Sequence, residues 1–131
     1  MALPEFSMIA GAPTPVAPFS HVAEIDGWVF LTGQMPTDPD DAAKPLPEGI
    51  EAQTRRVMDN LVIVLNGVGL GLENVVQARV FVTEFERDYA AMNQAYRSYF
   101  PGGKLPARTC IGVTGLAVGA LVEIDMVARR P

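Results

Sequence analysis

Four side chains have the types and neighbours that chemistry requires. Arg108 follows Leu105-Pro106-Ala107 and opens a run of strand-forming residues. A planar guanidinium at the start of a rigid strand can grip a carboxylate through two parallel hydrogen bonds, so this position suits a carboxylate anchor. The competing reading is an ion pair at a surface or interface. Glu123 interrupts the apolar run Leu121-Val122-Glu123-Ile124. A carboxylate in such a place can orient or deprotonate a water, or it can form a structural salt bridge with Arg79 or Arg108. Cys110 lies two residues beyond Arg108 and so points to the same side of a strand. As a nucleophile it needs a base, and His21 is the only histidine available. The alternative is a small buried cysteine and a packed, hydrogen-bonded histidine. Thr32, Gly33 and Gln34, just before Pro36, either shape a turn or line a pocket.

The elements that carry these residues follow from local pattern. The first 17 or so residues hold Pro4, Gly11, Pro13 and Pro15 and read as an extended arm, with a short strand near Phe6 to Ile9. Phe19 to Ile25 and Trp28 to Gln34 flank Asp26-Gly27, a pairing that predicts a two-residue hairpin. Pro36 to Pro47 is a polar loop. From Ile50 to Val68 the residues Ile50, Val57, Leu61, Val64, Leu65 and Val68 form one apolar stripe, which predicts an amphipathic helix ended by Gly67, Gly69 and Gly71. Val75 to Thr83 reads as a buried strand. Asp88 is a candidate cap for a second helix with the stripe Tyr89, Met92, Tyr96 and Phe100, stopped by Pro101-Gly102-Gly103. Ala107 to Thr114 and Ala120 to Ala128 supply two more strands.

The two-residue period of strands assigns faces. One apolar face takes Val29, Leu31, Val76, Ala78, Val80, Val82, Ile111, Val113, Val122, Ile124 and Met126. The other, mixed face takes Phe30, Thr32, Gln34, Gln77, Arg79, Phe81, Arg108, Cys110, Glu123 and Asp125, with Phe19 and His21 beside Gln34 and Thr32. Arg108 and Glu123 are thus expected on one surface. Two helices can cover only the apolar face, so the mixed face invites self-association. The whole is an α+β arrangement of about six strands, read as one domain over residues 1–131.

Composition narrows the function classes. The chain has 131 residues, 49% of them hydrophobic, enough for one packed core. Ten Lys and Arg against fifteen Asp and Glu give a net charge of -5 with no basic run, which argues against nucleic acid as a partner. No apolar stretch reaches the length of a membrane span and no secretion signal opens the chain, so a cytoplasmic protein is expected. One cysteine and one histidine leave no metal-ligand cluster. No G-x-G-x-x-G follows a strand, which disfavours a dinucleotide-binding fold.

Several segments can also be read together. They are Phe30-Leu31-Thr32-Gly33-Gln34-Met35-Pro36, Gly49-Ile50-Glu51-Ala52-Gln53-Thr54-Arg55, Val80-Phe81-Val82-Thr83, Met92-Asn93-Gln94-Ala95-Tyr96, Pro106-Ala107-Arg108-Thr109-Cys110 and Gly119-Ala120-Leu121-Val122-Glu123-Ile124. In this order, from about Ala17 to Ala128, the chain resembles the reactive intermediate deaminase (Rid) family. The resemblance implies a chorismate-mutase-like fold with two helices on one sheet face, assembled as a homotrimer with sites in the clefts between subunits. It implies cofactor-free hydrolysis of 2-aminoacrylate, or its 2-iminopropionate tautomer, to pyruvate and ammonia. Arg108 would bind the substrate carboxylate. Cys110 and Glu123 would help hold the attacking water, and Phe19, Thr32, Gly33 and Asn93 would line the site.

Two departures from the family pattern bear on substrate. Phe19 stands where a tyrosine is common, and Leu116-Ala117-Val118-Gly119 replaces a turn that usually carries lysine. The first leaves a ring without its hydroxyl; the second gives no support to a doubly charged substrate. A larger enamine such as 2-aminomuconate remains a rival substrate, and a non-catalytic carboxylate binder or holdase a rival function.

Overall fold

The computed structural model describes residues 2–131. Six strands form one sheet: β1 (Glu5–Ser7), β2 (Val22–Ile25), β3 (Trp28–Gln34), β4 (Val75–Val82), β5 (Ala107–Gly112) and β6 (Val122–Arg129), in the spatial order β1-β2-β3-β6-β4-β5. All neighbours pair antiparallel except β4 and β5, which are parallel and joined through a helix. The helices are α1 (Ile50–Gly67) and α2 (Phe85–Arg97).

Asp26 and Gly27 turn the β2–β3 hairpin with φ of 51° and 80°, the left-handed pair that a two-residue turn of this kind requires. Helix α1 buries Val57, Met58, Leu61, Val64 and Leu65 against Val29, Leu31, Val80, Ile124 and Met126 of the sheet. Its Asn60 is also fully buried and donates to the carbonyls of Met35 and Thr37 at 3.0 and 2.9 Å, which pins the start of the polar loop. Gln53 does the same twice, donating to Pro47 O and accepting from the Leu121 N–H, so the loop end and the start of β6 are tied to one helix.

Four expectations change. Helix α2 begins at Phe85, three residues before Asp88, with Glu84 at the cap; Asp88 lies inside the first turn and pairs with Arg87. Tyr89 is outside the core and stacks on Phe85 at 4.6 Å. Val76 is exposed because the register of β4 against β6 slips between Val75 and Gln77. A second slip, between Leu31 and Gln34, sets Thr32 and Gly33 against one residue of β6. The extra residue turns Gln34 inward, so it is buried opposite Ile124 rather than lying on the open face.

Both helices cover one sheet face, as the stripe patterns predict. The other stays open, with Phe6, Phe30 and Ile111 exposed and Arg79 paired to Asp125 across β4 and β6. A groove of about 730 Å³ runs over it between Phe6, Phe30, Thr32, Gly33, Gln77 and Arg79. No helix is long and apolar enough to cross a membrane.

Candidate functional site

The residues singled out from sequence fall into two groups on opposite sides of the sheet. Arg108 and Cys110 lie opposite Ala78 and Val80 in the parallel register, and those two residues belong to the buried, helix-covered side. Glu123 pairs with Phe81 on the open side. The expectation that Arg108, Cys110 and Glu123 share a face is therefore wrong within one chain. Strand β5 is an edge strand in which Thr109 and Ile111 are exposed and Arg108 and Cys110 partly buried, the reverse of the assignment by hydrophobicity. An edge strand has only one neighbour to bury it, so its polar pattern is a poor guide to which side faces the core.

Around Arg108 the fit is specific. One Nη donates to Asn93 Oδ1 at 2.7 Å, the other contacts Met92 Sδ at 4.0 Å, and the guanidinium carbon stands 4.9 Å from the centre of the Tyr96 ring. Helix α2 supplies all three partners, with Tyr96 about one turn beyond Met92 and Asn93. Among the described residues Arg108 has no carboxylate partner, so the intrachain ion-pair reading is excluded. A cleft of about 250 Å³ opens beside it, lined by Asn93, Tyr96, Arg97, Leu105 and Pro106. Tyr96 is buried, its hydroxyl has no hydrogen-bond partner, and burial raises its pKa against the opposing pull of Arg108. Sequence reasoning missed Tyr96 as the platform beneath Arg108; a cation-π contact carries no sequence signature beyond an aromatic residue in the right helix.

Cys110 packs against the core, and burial pushes its thiol pKa up, with the Arg108 charge opposing. His21 cannot serve it as a base. The imidazole is buried, accepts the Ile9 N–H at Nδ1 and faces Pro13 O at Nε2, both at 2.8 Å, so both ring nitrogens are spent holding the N-terminal arm. The packed, hydrogen-bonded reading of His21 holds, whereas Cys110 is only partly buried.

Glu123 is the centre of the second group. Arg79 takes Asp125 instead, which leaves Glu123 without an ion pair or hydrogen bond among the described residues. Its carboxyl pKa is raised, first by burial and then by the neighbouring Asp125 charge. The carboxylate lies over Gly33, where any Cβ would collide with Oε2. The β-bulge at Thr32 and Gly33 thus makes room for it. Thr32 is anchored by its N–H to His21 O at 2.9 Å, and Phe19 borders a small cleft with Gly33, Gln34 and Met35. A glycine inside a strand is the one sequence signal that pointed to this close approach.

The sheet therefore carries two half-sites: an arginine without an acid partner beside a small cleft on one side, and an unpaired, half-buried carboxylate over a glycine on the other. The family model described as endoribonuclease L-PSP matches residues 9–130, nearly the whole chain. The chain belongs to this family, also called YjgF/Rid. A RutC family protein of Synechocystis is 39% identical over 122 residues, covering 93% of each chain, and protein DfrA of Myxococcus xanthus is 39% identical over 120 residues, 89% of this chain and 88% of its own. Among solved structures, the Rid-family protein YyfA of Yersinia pestis superposes with a TM-score of 0.90 at 31% identity, covering 98% of this chain and 100% of its own. Escherichia coli TdcF with bound serine superposes at 0.87 with 26% identity, over 95% and 99%. These neighbours have the same fold as this Rid-family chain, a six-stranded mixed sheet under two helices.

Proposed function

We propose that this protein hydrolyses reactive imines and enamines of 2-amino acids, 2-aminoacrylate or 2-iminopropionate among them, at sites completed between the subunits of a homotrimer. The observation that carries this reading is the unpaired Arg108, held by Asn93 and Tyr96 beside a cleft. A positioned guanidinium without an acid partner is ready for a ligand carboxylate. The bound serine of TdcF, an amino acid with a carboxylate, fits the same chemistry.

The trimer supplies what one chain lacks. Arg108 and Glu123 lie on opposite sides of one sheet, and the open face that carries Glu123 exposes Phe6, Phe30 and Ile111 beside Arg79 and Asp125, a mixed surface suited to self-association. Packing that face against another copy would bring Glu123, Gly33, Thr32 and Phe19 of one subunit toward Arg108, Asn93 and Cys110 of the next.

The chemistry then asks little of the protein. A protonated imine is already electrophilic, and catalysis consists of holding it, presenting water and moving protons. Arg108 fixes the carboxylate. Glu123 takes a proton from water as its oxygen adds to the imine carbon, giving a carbinolamine. It returns that proton to the nitrogen, ammonia leaves, and the hydroxyl proton departs as the keto acid forms. The raised pKa of Glu123 suits a group that must both accept and give a proton. Cys110, its thiol kept neutral by burial, lines the site without a covalent role.

The test is ammonia and pyruvate release from 2-aminoacrylate generated in place by a serine dehydratase, with Arg108→Ala as control and the mass of the protein in solution measured alongside. Acceleration that disappears in the control supports the reading. A folded protein that leaves the spontaneous rate unchanged overturns it for this substrate. A binder that catalyses nothing would be indifferent to Glu123→Gln.

A further inference from the structure

The cleft beside Arg108 holds a second arginine. Arg97 follows Asn93 by four residues on α2, so the two share a helix face one turn apart. Both line the 250 Å³ cleft with Tyr96, Leu105, Pro106 and Arg108, and no acidic residue does. Among the described residues the ion pairs use Lys44, Arg55, Arg79, Arg87 and Arg130, never Arg97 or Arg108. Arg56, Lys104 and Arg129 are outside these ion pairs too, but Arg97 and Arg108 converge on one small cleft with no acidic lining, in a chain of net charge -5. The dipole of α2 favours a cation in its last turn, which explains a basic residue at 97. It does not explain the absence of a counter-charge from the cleft that Arg97 shares with Arg108.

We infer that Arg97 is a specificity-determining residue that contacts a second anionic group, so that this site prefers imines or enamines of four- or five-carbon dicarboxylic amino acids. The inner arginine is pinned by Asn93 and Tyr96 and takes the 2-carboxylate; the outer one, exposed at the mouth, takes the distal carboxylate. Asn93, which holds Arg108, lies one helical turn of about 5.4 Å from Arg97, so both guanidiniums border the same small cleft. The charge missing from the Ala117-Val118 turn is thus supplied from another element. This inference rests on Arg108 being the carboxylate anchor, and deepens that reading.

Equilibrium binding tests it without relying on turnover. Calorimetry at low ionic strength compares pyruvate with oxaloacetate and 2-oxoglutarate on the intact protein and on Arg97→Gln, Arg108→Ala and Arg56→Gln. The last removes one positive charge from α1, outside the cleft. The dicarboxylates should bind about three- to fivefold tighter than pyruvate, the range of an exposed ion pair. Arg97→Gln should erase that preference and leave pyruvate binding as it was, while Arg56→Gln keeps the preference. Equal binding of both classes by the intact protein overturns the inference. So does a preference that survives Arg97→Gln, or one that Arg56→Gln weakens equally. Loss of binding of both classes in Arg108→Ala supports the anchor, and unchanged binding there would overturn the anchor and the inference together. A protein that binds as described yet hydrolyses nothing would sink the deaminase reading alone.

Discussion

Arg108 and Glu123, the two residues with the strongest chemical credentials, are carried on opposite faces of one sheet: Arg108 opposite buried Ala78 on the helix side, Glu123 opposite Phe81 on the open side. Neither meets an opposite charge among the described residues. A structural salt bridge, the simplest explanation for each, therefore fails for both within the chain, and their separation is the reason the proposed site needs a second copy.

Loss of the Arg108 guanidinium should cost activity heavily. Charge-assisted hydrogen bonds of this type contribute about 1.5–3 kcal/mol, so Arg108→Ala should lower kcat/KM for 2-aminoacrylate by about 10- to 150-fold. Arg108→Lys should recover only part of this, since an ammonium cannot reproduce the planar fork held by Asn93 and Tyr96. Steady-state kinetics decides the point, and a lysine variant with full activity would reduce Arg108 to a simple point charge.

Gly33→Ala should separate catalysis from folding. The added Cβ meets the far end of the Glu123 side chain, which can swing away, so melting should stay within about 5 °C of the parent. The displaced carboxylate should nevertheless lower kcat about as far as Glu123→Gln does. Thermal melts and kinetics on the same preparations test both halves, and full activity in the alanine variant would mean that the position of Glu123 over Gly33 is immaterial.

The carboxyl of Glu123 makes stability depend on pH in a defined direction. Its folded pKa is raised above the unfolded value by burial and Asp125, so the folded chain binds the proton more readily. The cost of keeping the ionised group in place is full above the folded pKa and vanishes below the unfolded one. Glu123→Gln should accordingly stabilise the protein at neutral pH, with the advantage shrinking as pH falls through the carboxyl range. Urea melts at several pH values measure it. An advantage that grows on acidification has the wrong sign and would mean the group is stabilised as the anion.

Val118 is a β-branched residue at φ 56°, in the left-handed region that such side chains avoid. Its side chain is 49% exposed, so little packing is lost with it. Relief of about 1–2 kcal/mol of backbone strain, set against about 0.5–1 kcal/mol of extra chain entropy, predicts that Val118→Gly is more stable by about 0.5–1 kcal/mol. Differential scanning calorimetry should register a higher Tm, and a lower one would show that the turn relies on the valine side chain.

Much of the architecture was legible because its signals are local. The Asp26-Gly27 turn, the α1 stripe and the glycines that end it rest on backbone sterics and a 3.6-residue period, and the hairpin register follows from the turn. The family and its six-stranded fold were likewise readable from the ordered run of short segments. What failed was the face of β5. Period two says that Arg108 and Cys110 share a side, but not which side. That choice is made by the parallel pairing to β4 and by α2, which brings Asn93 and Tyr96 to the guanidinium.

The same division explains the rest of the site. Sequence alone singled out Arg108, Cys110, Glu123 and Gly33 as candidate site residues and determined that two helices leave one sheet face without a covering layer. Tertiary structure decided that one face holds a free arginine and the other a free carboxylate, that a bulge at Thr32 and Gly33 seats Glu123, and that His21 is spent on the N-terminal arm. Those facts depend on contacts between residues 12 to 46 or more positions apart, set by how strands align and helices dock rather than by any local preference of the chain.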